Sequence, residues 1–522
     1  MKKNSFFKNA VILSFTALFL NIVSVIFRVY LSNKIGQSGM GLYQLIISVY
    51  VFGATVASSG LSFTVTRLVS EAVATKNEAK IRKIMKSTFI LALIFGGTAF
   101  SGMFFGAEFI GTSLLGNSEV INCLKILAFG LPFMSLSSCF SGFFIGLRKV
   151  SFSSLIQVFE DLLQIAVAVI LLGIFAPMGV EAACTAIVTG TAVGEILACL
   201  FAYLLYKYKG RTIKKDKLQK TKMMKTILSI TLPMSFSSYL RSALTTVENL
   251  MIPISLQKYG YSQADALGLF GLLKGMVIPI IFFPAVFLSA FSRLLMPEIA
   301  DARAVGDNKK IDQTGGAVIS ATLIFSILVA GVFMFFSNEF GMMIYSSEEA
   351  GRMIFILAPL IPFMYLDGII DGMLKGMDEQ VTVMKYNIVE ALLRVGLVWF
   401  IIPYGGSAAF IITIYAGNVI NTYLSLRRFI KVGKVKYPFV TQILKSVIAV
   451  AVVGFPLSMI LKYKGGGNIV TISLIALTVI FYFIIVVATN ILPKHEGKIL
   501  KTLLFGEKED KKVNNKLKKA TL

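Results

Sequence analysis

Charged side chains occur inside segments of this sequence that are otherwise apolar. The carboxylates are Glu160, Asp161, Glu195, Asp367 and Glu390, and the cations are Arg28, Arg241, Lys274 and Arg394. A charge at bilayer depth costs at least about 2.5–3.5 kcal/mol, so each such side chain should face a cavity or a charged partner. Carboxylates in that setting can bind a proton or a cation, and cations can bind an anionic substrate.

Arg241 has no carboxylate at close range in its own predicted helix. The residues four positions away are Ser237 and Thr245, and Glu248 lies further along the same face. An arginine without a carboxylate partner can bind a phosphate through two parallel hydrogen bonds. The spacing therefore favours substrate binding by Arg241.

The remaining charges suit either pairing or coupling to an ion. Glu390 and Arg394 are four residues apart with the acid first, which favours an ion pair within one helix; alternatively, Arg394 binds substrate. Glu160 and Asp161 have no adjacent base, so one of them should hold a proton or meet a cation from another helix. In the segment IPFMYLDGIIDGMLKG, Asp367 has no oppositely charged partner at its own depth in the membrane. It is therefore a candidate gate or proton site.

The composition indicates an integral membrane protein. Of the 522 residues, 56% are hydrophobic and only 15% are charged, whereas soluble domains are roughly 45–50% apolar. The net charge of +24 comes from Lys and Arg in short blocks between apolar runs. That distribution favours contact with membrane phospholipid and argues against a nucleic-acid partner.

Metal and disulfide chemistry are not expected. The four cysteines, Cys123, Cys139, Cys184 and Cys199, lie in or beside apolar runs without metal-ligand spacing. We expect no metal, no cofactor and no catalytic residues, and the sequence does not predict an oligomeric state. The apolar stretch after the basic N-terminus is too long for a signal peptide, so we interpret it as the first span.

Spanning helices of about 20 apolar residues account for most of the chain. We predict an all-α polytopic membrane protein with about fourteen transmembrane helices, at 7–31, 41–66, 86–107, 120–146, 152–175, 179–206, 226–256, 267–292, 313–337, 352–376, 381–403, 405–426, 442–461 and 468–492. Most of the 51 basic residues fall in alternate connections. By the positive-inside rule, both termini should be cytoplasmic.

An internal repeat predicts two parallel lobes. LPFMSLSSCFSGFFIGLRKVSFSSLIQVFEDLLQI (131–165) aligns without a gap with 361–395, sharing a Pro-Phe-Met, two glycines and a glutamate, and GLY at 41–43 aligns with GLF at 268–270. The repeat unit is six helices, so the lobes should be related by a pseudo-two-fold axis along the membrane normal. The predicted parts are an N-terminal lobe (1–206), a basic cytoplasmic linker (207–225), a C-terminal lobe (226–426), two further helices (442–492) and a basic cytoplasmic tail (493–522).

Two segments carry a resemblance to a known family: GMGLYQLIISVYVFGATVASSGLSFTVTRLVSEAVATKN (39–77) and SGFFIGLRKVSFSSLIQVFEDLLQI (141–165). They resemble the stage V sporulation protein B branch of the polysaccharide-export proteins, in the multidrug/oligosaccharidyl-lipid/polysaccharide (MOP) flippase superfamily. The resemblance implies a flippase of the bacterial cytoplasmic membrane. Its substrate would be an undecaprenyl-pyrophosphate-linked glycan, a lipid II type precursor for spore cortex or cell wall.

The resemblance also implies roles for particular cations. In relatives that flip lipid II, cationic residues of helices 1, 2 and 8 line the central cavity, which implies substrate binding by Arg28 and Lys274. Helix 2 departs from this pattern, because its only basic residue, Arg67, lies at the cytoplasmic end. Arg241 in helix 7 could supply the third contact.

Three other functions are compatible with parts of the sequence. A drug or metabolite antiporter of the same superfamily would use Glu160, Asp161, Glu195 or Asp367 to bind a proton or sodium ion. A membrane-bound transferase is disfavoured by short outer connections and by a single histidine, His495, in the tail. A scaffold without transport would leave charges buried at several depths without a purpose.

Overall fold

The computed structural model describes residues 3–114, 118, 120–210, 223–435, 437–464, 467–492 and 497. Most of the predicted linker, and the predicted tail apart from residue 497, lie outside these residues. The described residues form α-helices joined by turns and short π- and 3-10-helical segments, without a β-strand. The protein is an all-α, multi-pass membrane protein.

The chain divides into two compact units. The first contains 1–276 and 395–410, and the second contains 277–394 and 411–522. Helices that begin in the first unit are α1 (Lys3–Ser58), α2 (Leu61–Ala74), α3 (Glu78–Glu108), α4 (Val120–Gly146), α5 (Val150–Phe175), α6 (Val180–Gly210), α7 (Met223–Tyr259) and α8 (Gln263–Phe270). A 3-10 turn (Ala176–Met178) links α5 to α6, and π-helical segments follow α3 (Phe109–Leu114) and α8 (Gly271–Val277).

The remaining helices lie wholly or partly in the second unit. They are α9 (Ile278–Phe282), α10 (Ala285–Ala304), α11 (Asn308–Phe335), α12 (Ser337–Tyr345), α13 (Glu348–Leu357), α14 (Ile361–Gly376), α15 (Gln380–Phe400), α16 (Ile402–Gly433), α17 (Phe439–Lys464) and α18 (Asn468–Ala488). A 3-10 turn, Ala358–Leu360, separates α13 from α14. Helix α15 begins in the second unit and ends in the first, whereas α16 begins in the first unit and ends in the second.

Eleven stretches of the described residues are long and apolar enough to cross a membrane. The first, Phe15–Ala74, has 60 residues, about three times the length of one span. Both α7, with 37 residues, and α15, with 21, are also long enough but are not among the eleven stretches. Each carries charges within its length, as expected for helices that do not face only lipid. The total of fourteen stays a prediction.

Three helices predicted as continuous are interrupted. In the span predicted at 41–66, Gly60 adopts a left-handed conformation (φ 76°) between α1 and α2. The span predicted at 267–292 contains a π-helical segment and then a turn at Pro284, which has no N–H to continue the hydrogen-bond ladder. The span predicted at 352–376 is broken by the 3-10 turn before α14. Apolar length predicts that a segment crosses the membrane but not that its backbone stays helical.

Close packing brings together the segments around the repeated motifs 41–43 and 268–270. A Cβ atom on Gly41 would collide with the Leu267 carbonyl oxygen, and one on Gly271 would collide with the backbone of Gln37 and Gly41. The second half of α8 and the residue that follows it therefore lie directly against α1, at a distance that only glycine permits. This contact places the following π-helical segment, which carries Lys274, beside the other helices of the first unit.

Candidate functional site

A polar groove lies between α1 and α7 in the first unit. Its volume is about 620 Å³, and it is lined by Gln44, Ile47, Ser48, Val51, Thr55, Ser58, Ser59, Ser238, Arg241, Ser242, Thr245, Thr246 and Asn249. Most of these side chains carry a hydroxyl or an amide group. The groove can therefore hydrogen-bond a polar ligand along its length.

Hydrogen bonds between the two helices hold the walls of the groove. The Asn249 amide donates to the Ser48 hydroxyl at 3.0 Å, and Thr246 donates to the Ser48 carbonyl at 3.0 Å. Nearer the other end, Thr55 donates to the Ser242 hydroxyl at 3.2 Å. These bonds use polar side chains that would otherwise be unsatisfied beside lipid, and they place Arg241 between them in the groove.

Arg241 is the only charged side chain among the residues that line this groove. It is exposed, and within the described part of the chain no carboxylate forms an ion pair with it. A guanidinium among hydroxyl groups offers several donors in a planar arrangement. The site is thus suited to an oxyanion such as a phosphate.

Lys274 occupies a different environment from Arg241. Its Nζ lies 3.1 Å from Oε1 of Glu248, whose side chain is only 3% exposed. The π-helical segment after α8 presents the lysine to α7, and π-helical turns are frequent at functional sites. Lys274, predicted to bind substrate, is therefore held by a buried carboxylate, and substrate binding would require exchange of that partner.

Arg28 is not among the groove residues. It lies half-buried in the first half of α1, within electrostatic range of the Tyr43 hydroxyl. The break at Gly36, where φ is 68°, separates Arg28 from the part of α1 that lines the groove. The structure therefore does not gather the three cations of the first unit into one cluster.

A pair of carboxyl groups forms a second polar site in the first unit. Glu160 of α5 lies within electrostatic range of Glu195 of α6, and the Tyr50 hydroxyl of α1 donates a hydrogen bond to Glu195 Oε1 at 3.2 Å. Glu195 is only 3% exposed. Two neighbouring buried carboxyl groups repel one another when both are ionised, so a proton or a cation at this site would stabilise the pair. Asp161 lies close enough to interact electrostatically with both glutamates.

Asp367 belongs to an amide cluster in the second unit. The Asn421 amide of α16 donates to Asp367 Oδ2 at 3.0 Å and also to the Asn387 Oδ1 of α15 at 3.3 Å. Both asparagines are buried. Asp367 thus has a hydrogen-bond partner on α16, and that partner, Asn421, in turn bonds to α15.

The pairing of Glu390 with Arg394 is confirmed. Oε1 of Glu390 lies 3.2 Å from Nη1 of Arg394 within α15, and both side chains are largely buried. A Cβ atom on Gly417 would lie 2.6 Å from the Arg394 Cδ, so α16 packs directly on the arginine stem. The ion pair and the packing of α16 give Glu390 and Arg394 a structural role. A substrate role for Arg394 stays a prediction.

Sequence reasoning did not predict several of these partners. Tyr50, Asn387 and Asn421 are uncharged residues in apolar helices, so their spacing in the sequence did not indicate that they contact the charged residues. The groove did leave a signal, because SFSSYLRSALTTVEN (235–249) is unusually rich in hydroxyl groups for a membrane helix. The contact of Glu248 with Lys274 joins two different helices, which no single-helix spacing rule can predict.

Comparisons with known proteins agree on one family. A family model described as polysaccharide biosynthesis protein matches residues 6–297. Stage V sporulation protein B of Bacillus subtilis (strain 168) is 24% identical over 511 residues, covering 95% of this chain and 98% of that protein. Sporulation protein YkvU of the same organism is 20% identical over 363 residues, covering 69% of this chain and 80% of that protein.

Solved structures share the fold at low sequence identity. The lipid II flippase MurJ, in an inward closed conformation, is 14% identical with a TM-score of 0.66, covering 92% of this chain and 96% of that one. An inward-facing multidrug resistance MATE family transporter of the MOP superfamily is 14% identical with a TM-score of 0.61, covering 81% and 99%. Because the family model spans more than half of the 522 residues, the chain belongs to the polysaccharide biosynthesis protein family.

Proposed function

We propose that this protein is a flippase that moves an undecaprenyl-pyrophosphate-linked glycan, of the lipid II type, across the bacterial cytoplasmic membrane. The family, the sporulation proteins among its relatives and the fold shared with a lipid II flippase support this proposal. The observation that carries it is Arg241, a cation with no carboxylate partner among the described residues, in a groove of hydroxyl and amide groups. Spore cortex or cell-wall synthesis would use the product.

The groove supplies the hydrogen-bond partners that such a substrate would lose in the hydrocarbon of a bilayer. A pyrophosphate and its sugars cannot enter hydrocarbon without losing their hydrogen bonds to water. Arg241 would bind the phosphate and the hydroxyl groups of α1 and α7 would bind the sugars, while the lipid tail stays in the membrane. Alternating access by the lobes 1–206 and 226–426 would complete the transfer, and no covalent bond of the substrate changes.

We place coupling or gating at the buried carboxylates. The pair of Glu160 and Glu195 would hold and release a proton or exchange it for a cation, with Asp161 tuning the local charge. Asp367 and Glu390 would serve the corresponding role in the second unit, where Asp367 is bound by Asn421. Both chain termini would lie on the cytoplasmic side, where the basic linker and tail meet anionic lipid.

Substitution of Glu195 tests the coupling proposal. Glu195→Gln retains a hydrogen-bonding group but cannot lose a proton, so the translocation rate should depend less on pH than in the wild type, with only Glu160 and Asp161 left to titrate at this site. Glu181→Gln, an exposed position in the first turn of α6, should keep the wild-type profile. The measurement is the translocation rate in vesicles at a series of pH values. A wild-type profile in Glu195→Gln would exclude this pair from coupling.

Reconstitution tests the proposed function itself. Purified protein is placed in vesicles that carry a fluorescent undecaprenyl-pyrophosphate-linked disaccharide on one leaflet, and its appearance on the other leaflet is measured. Transfer above that of protein-free vesicles supports the flippase. Absence of transfer by a folded protein, for every lipid-linked glycan tried, contradicts it.

A cation-coupled drug or metabolite antiporter is the second candidate. The neighbouring carboxyl groups of Glu160 and Glu195 favour it, because two acidic groups can bind a proton or a cation without any anionic substrate. The MATE fold similarity is consistent with it. An antiporter should extrude a cationic dye from the same vesicles when a proton or sodium gradient is imposed, and that activity should not require Arg241.

A further inference from the structure

A second cavity lies in the second unit, and none of the residues assigned above lines it. It has a volume of about 380 Å³ and is lined by Met334, Phe335, Ser337, Asn338, Glu339, Glu348, Arg352, Phe355 and Lys462. These residues come from the end of α11, the start of α12, α13 and the end of α17. The family model ends at residue 297, before this part of the chain.

The walls of this cavity are fixed by backbone packing. A Cβ atom on Gly341 would collide with the backbone of Gly351, so α12 and α13 touch directly. Ser347 caps α13 by accepting a hydrogen bond from the Ala350 N–H at 3.1 Å. The ring of Phe335 occupies the space that a Cβ atom on Gly454 would need, which fixes α17 against α11. The cavity is therefore preformed.

The cavity combines both signs of charge. Glu339 and Glu348 are its acids, and Arg352 and Lys462 are its bases. Glu348 and Arg352 are four residues apart with the acid first, yet no ion pair joins any of the four in the described part of the chain. A ligand with one anionic and one cationic group could pair with both kinds of side chain, whereas an anion alone would leave two carboxylates unpaired.

The position of the cavity points to a lipid. It lies where three membrane-length stretches end or begin: Asn308–Phe335, Glu348–Gly376 and Phe439–Tyr463. The ends of such stretches lie at headgroup depth. Met334, Phe335 and Phe355 give the cavity an apolar side that acyl chains can contact. A headgroup above this apolar side would meet all four charged residues.

We propose that this cavity binds a phosphoethanolamine headgroup of a zwitterionic phospholipid. Arg352 and Lys462 bind the phosphate, and Glu339 and Glu348 accept hydrogen bonds from the primary ammonium group. A choline headgroup has no N–H to donate, and a glycerol headgroup has no positive charge. The site therefore selects phosphatidylethanolamine over phosphatidylcholine and phosphatidylglycerol.

Lipid retention on the purified full-length chain tests this proposal. Native mass spectrometry after extraction from equimolar mixed vesicles should show phosphatidylethanolamine retained about tenfold or more over phosphatidylcholine, the ratio expected for one charge-assisted hydrogen bond. The double variant Glu339→Gln with Glu348→Gln should lose this preference. Arg352→Gln with Lys462→Gln should reduce retention of both lipids.

Matched controls separate this site from general lipid binding. Glu349→Gln, next to Glu348 but outside the cavity, and Lys445→Gln, exposed on α17, should behave as wild type. Equal retention of the two lipids by the wild type, or an unchanged preference in the folded carboxylate variant, overturns the proposal. Binding of glycerophosphoethanolamine without any retained phospholipid would also overturn it, because the occupant would then be a soluble zwitterion. None of these readouts depends on the transported substrate.

Discussion

At the residue scale, charges that look alike in the sequence have different partners. Arg241 faces a groove of hydroxyl groups, whereas Lys274 is bound to the buried Glu248. The positions of these charges could be predicted, because a charge in an apolar run is conspicuous. Their partners could not be, since Tyr50 and Glu248 reach them from other helices.

Breaking the buried ion pair should destabilise the protein. Glu248→Gln leaves Lys274 largely buried without its carboxylate, which should cost about 3 kcal/mol or more. Replacing both residues, as Glu248→Gln with Lys274→Met, should restore much of the loss because no buried charge is left. Thermal unfolding of the four proteins of this double-mutant cycle gives the coupling energy. Additive losses would show that the two side chains do not stabilise one another.

At the element scale, the helices differ from the predicted spans mainly where the backbone is interrupted. The turn at Gly60 and the π-helical segment Gly271–Val277 were not predictable from apolar length, because both leave the local composition apolar. The repeat predicted which segments correspond, 41–43 and 268–270. It did not predict that their neighbourhoods pack against each other.

The contact of α1 with α8 should depend on Gly271. Gly271→Ala places a Cβ atom against the backbone of Gln37 and Gly41, and the resulting overpacking should cost about 1–3 kcal/mol. Gly268→Ala is a matched control, because no atom lies within 4 Å of its added Cβ. Thermal unfolding should separate the two variants. Equal stability would mean that the helices can move apart without cost.

An ion pair links the turn after α14 to the end of α16 and should be pH-dependent. Two hydrogen bonds from Arg428, at 2.6 and 3.1 Å, hold the pKa of Glu379 below its usual value, and Thr382 adds a third bond. The stabilisation is therefore complete above the ordinary pKa of a glutamate, about 4.3, and is lost as the pH falls through the lowered value.

Comparison with Glu379→Gln isolates this contribution. The wild type should unfold at a higher temperature than the variant near neutral pH, and the difference should shrink towards about pH 3. Unfolding temperatures across that range provide the measurement. A difference that stays constant with pH would show that ionisation of Glu379 does not stabilise the fold.

At the scale of the whole molecule, composition and apolar length were enough to predict an all-α, multi-pass membrane protein. The number of spans is harder to fix, because α7 and α15 carry charges and differ from ordinary apolar spans. Those same charges made α7 a functional candidate. The charges that make the number of spans hard to predict therefore also mark α7, the helix that lines the groove.

The most direct test of the proposed transport is the translocation rate of an undecaprenyl-pyrophosphate-linked disaccharide by Arg241→Ala in reconstituted vesicles. Loss of a charge-assisted contact to phosphate should reduce the rate at least tenfold, corresponding to about 1.4 kcal/mol or more, and Arg241→Lys should recover part of it. Lys225→Ala, exposed near the start of α7, should transport at the wild-type rate. Wild-type transport by folded Arg241→Ala would contradict phosphate binding in this groove.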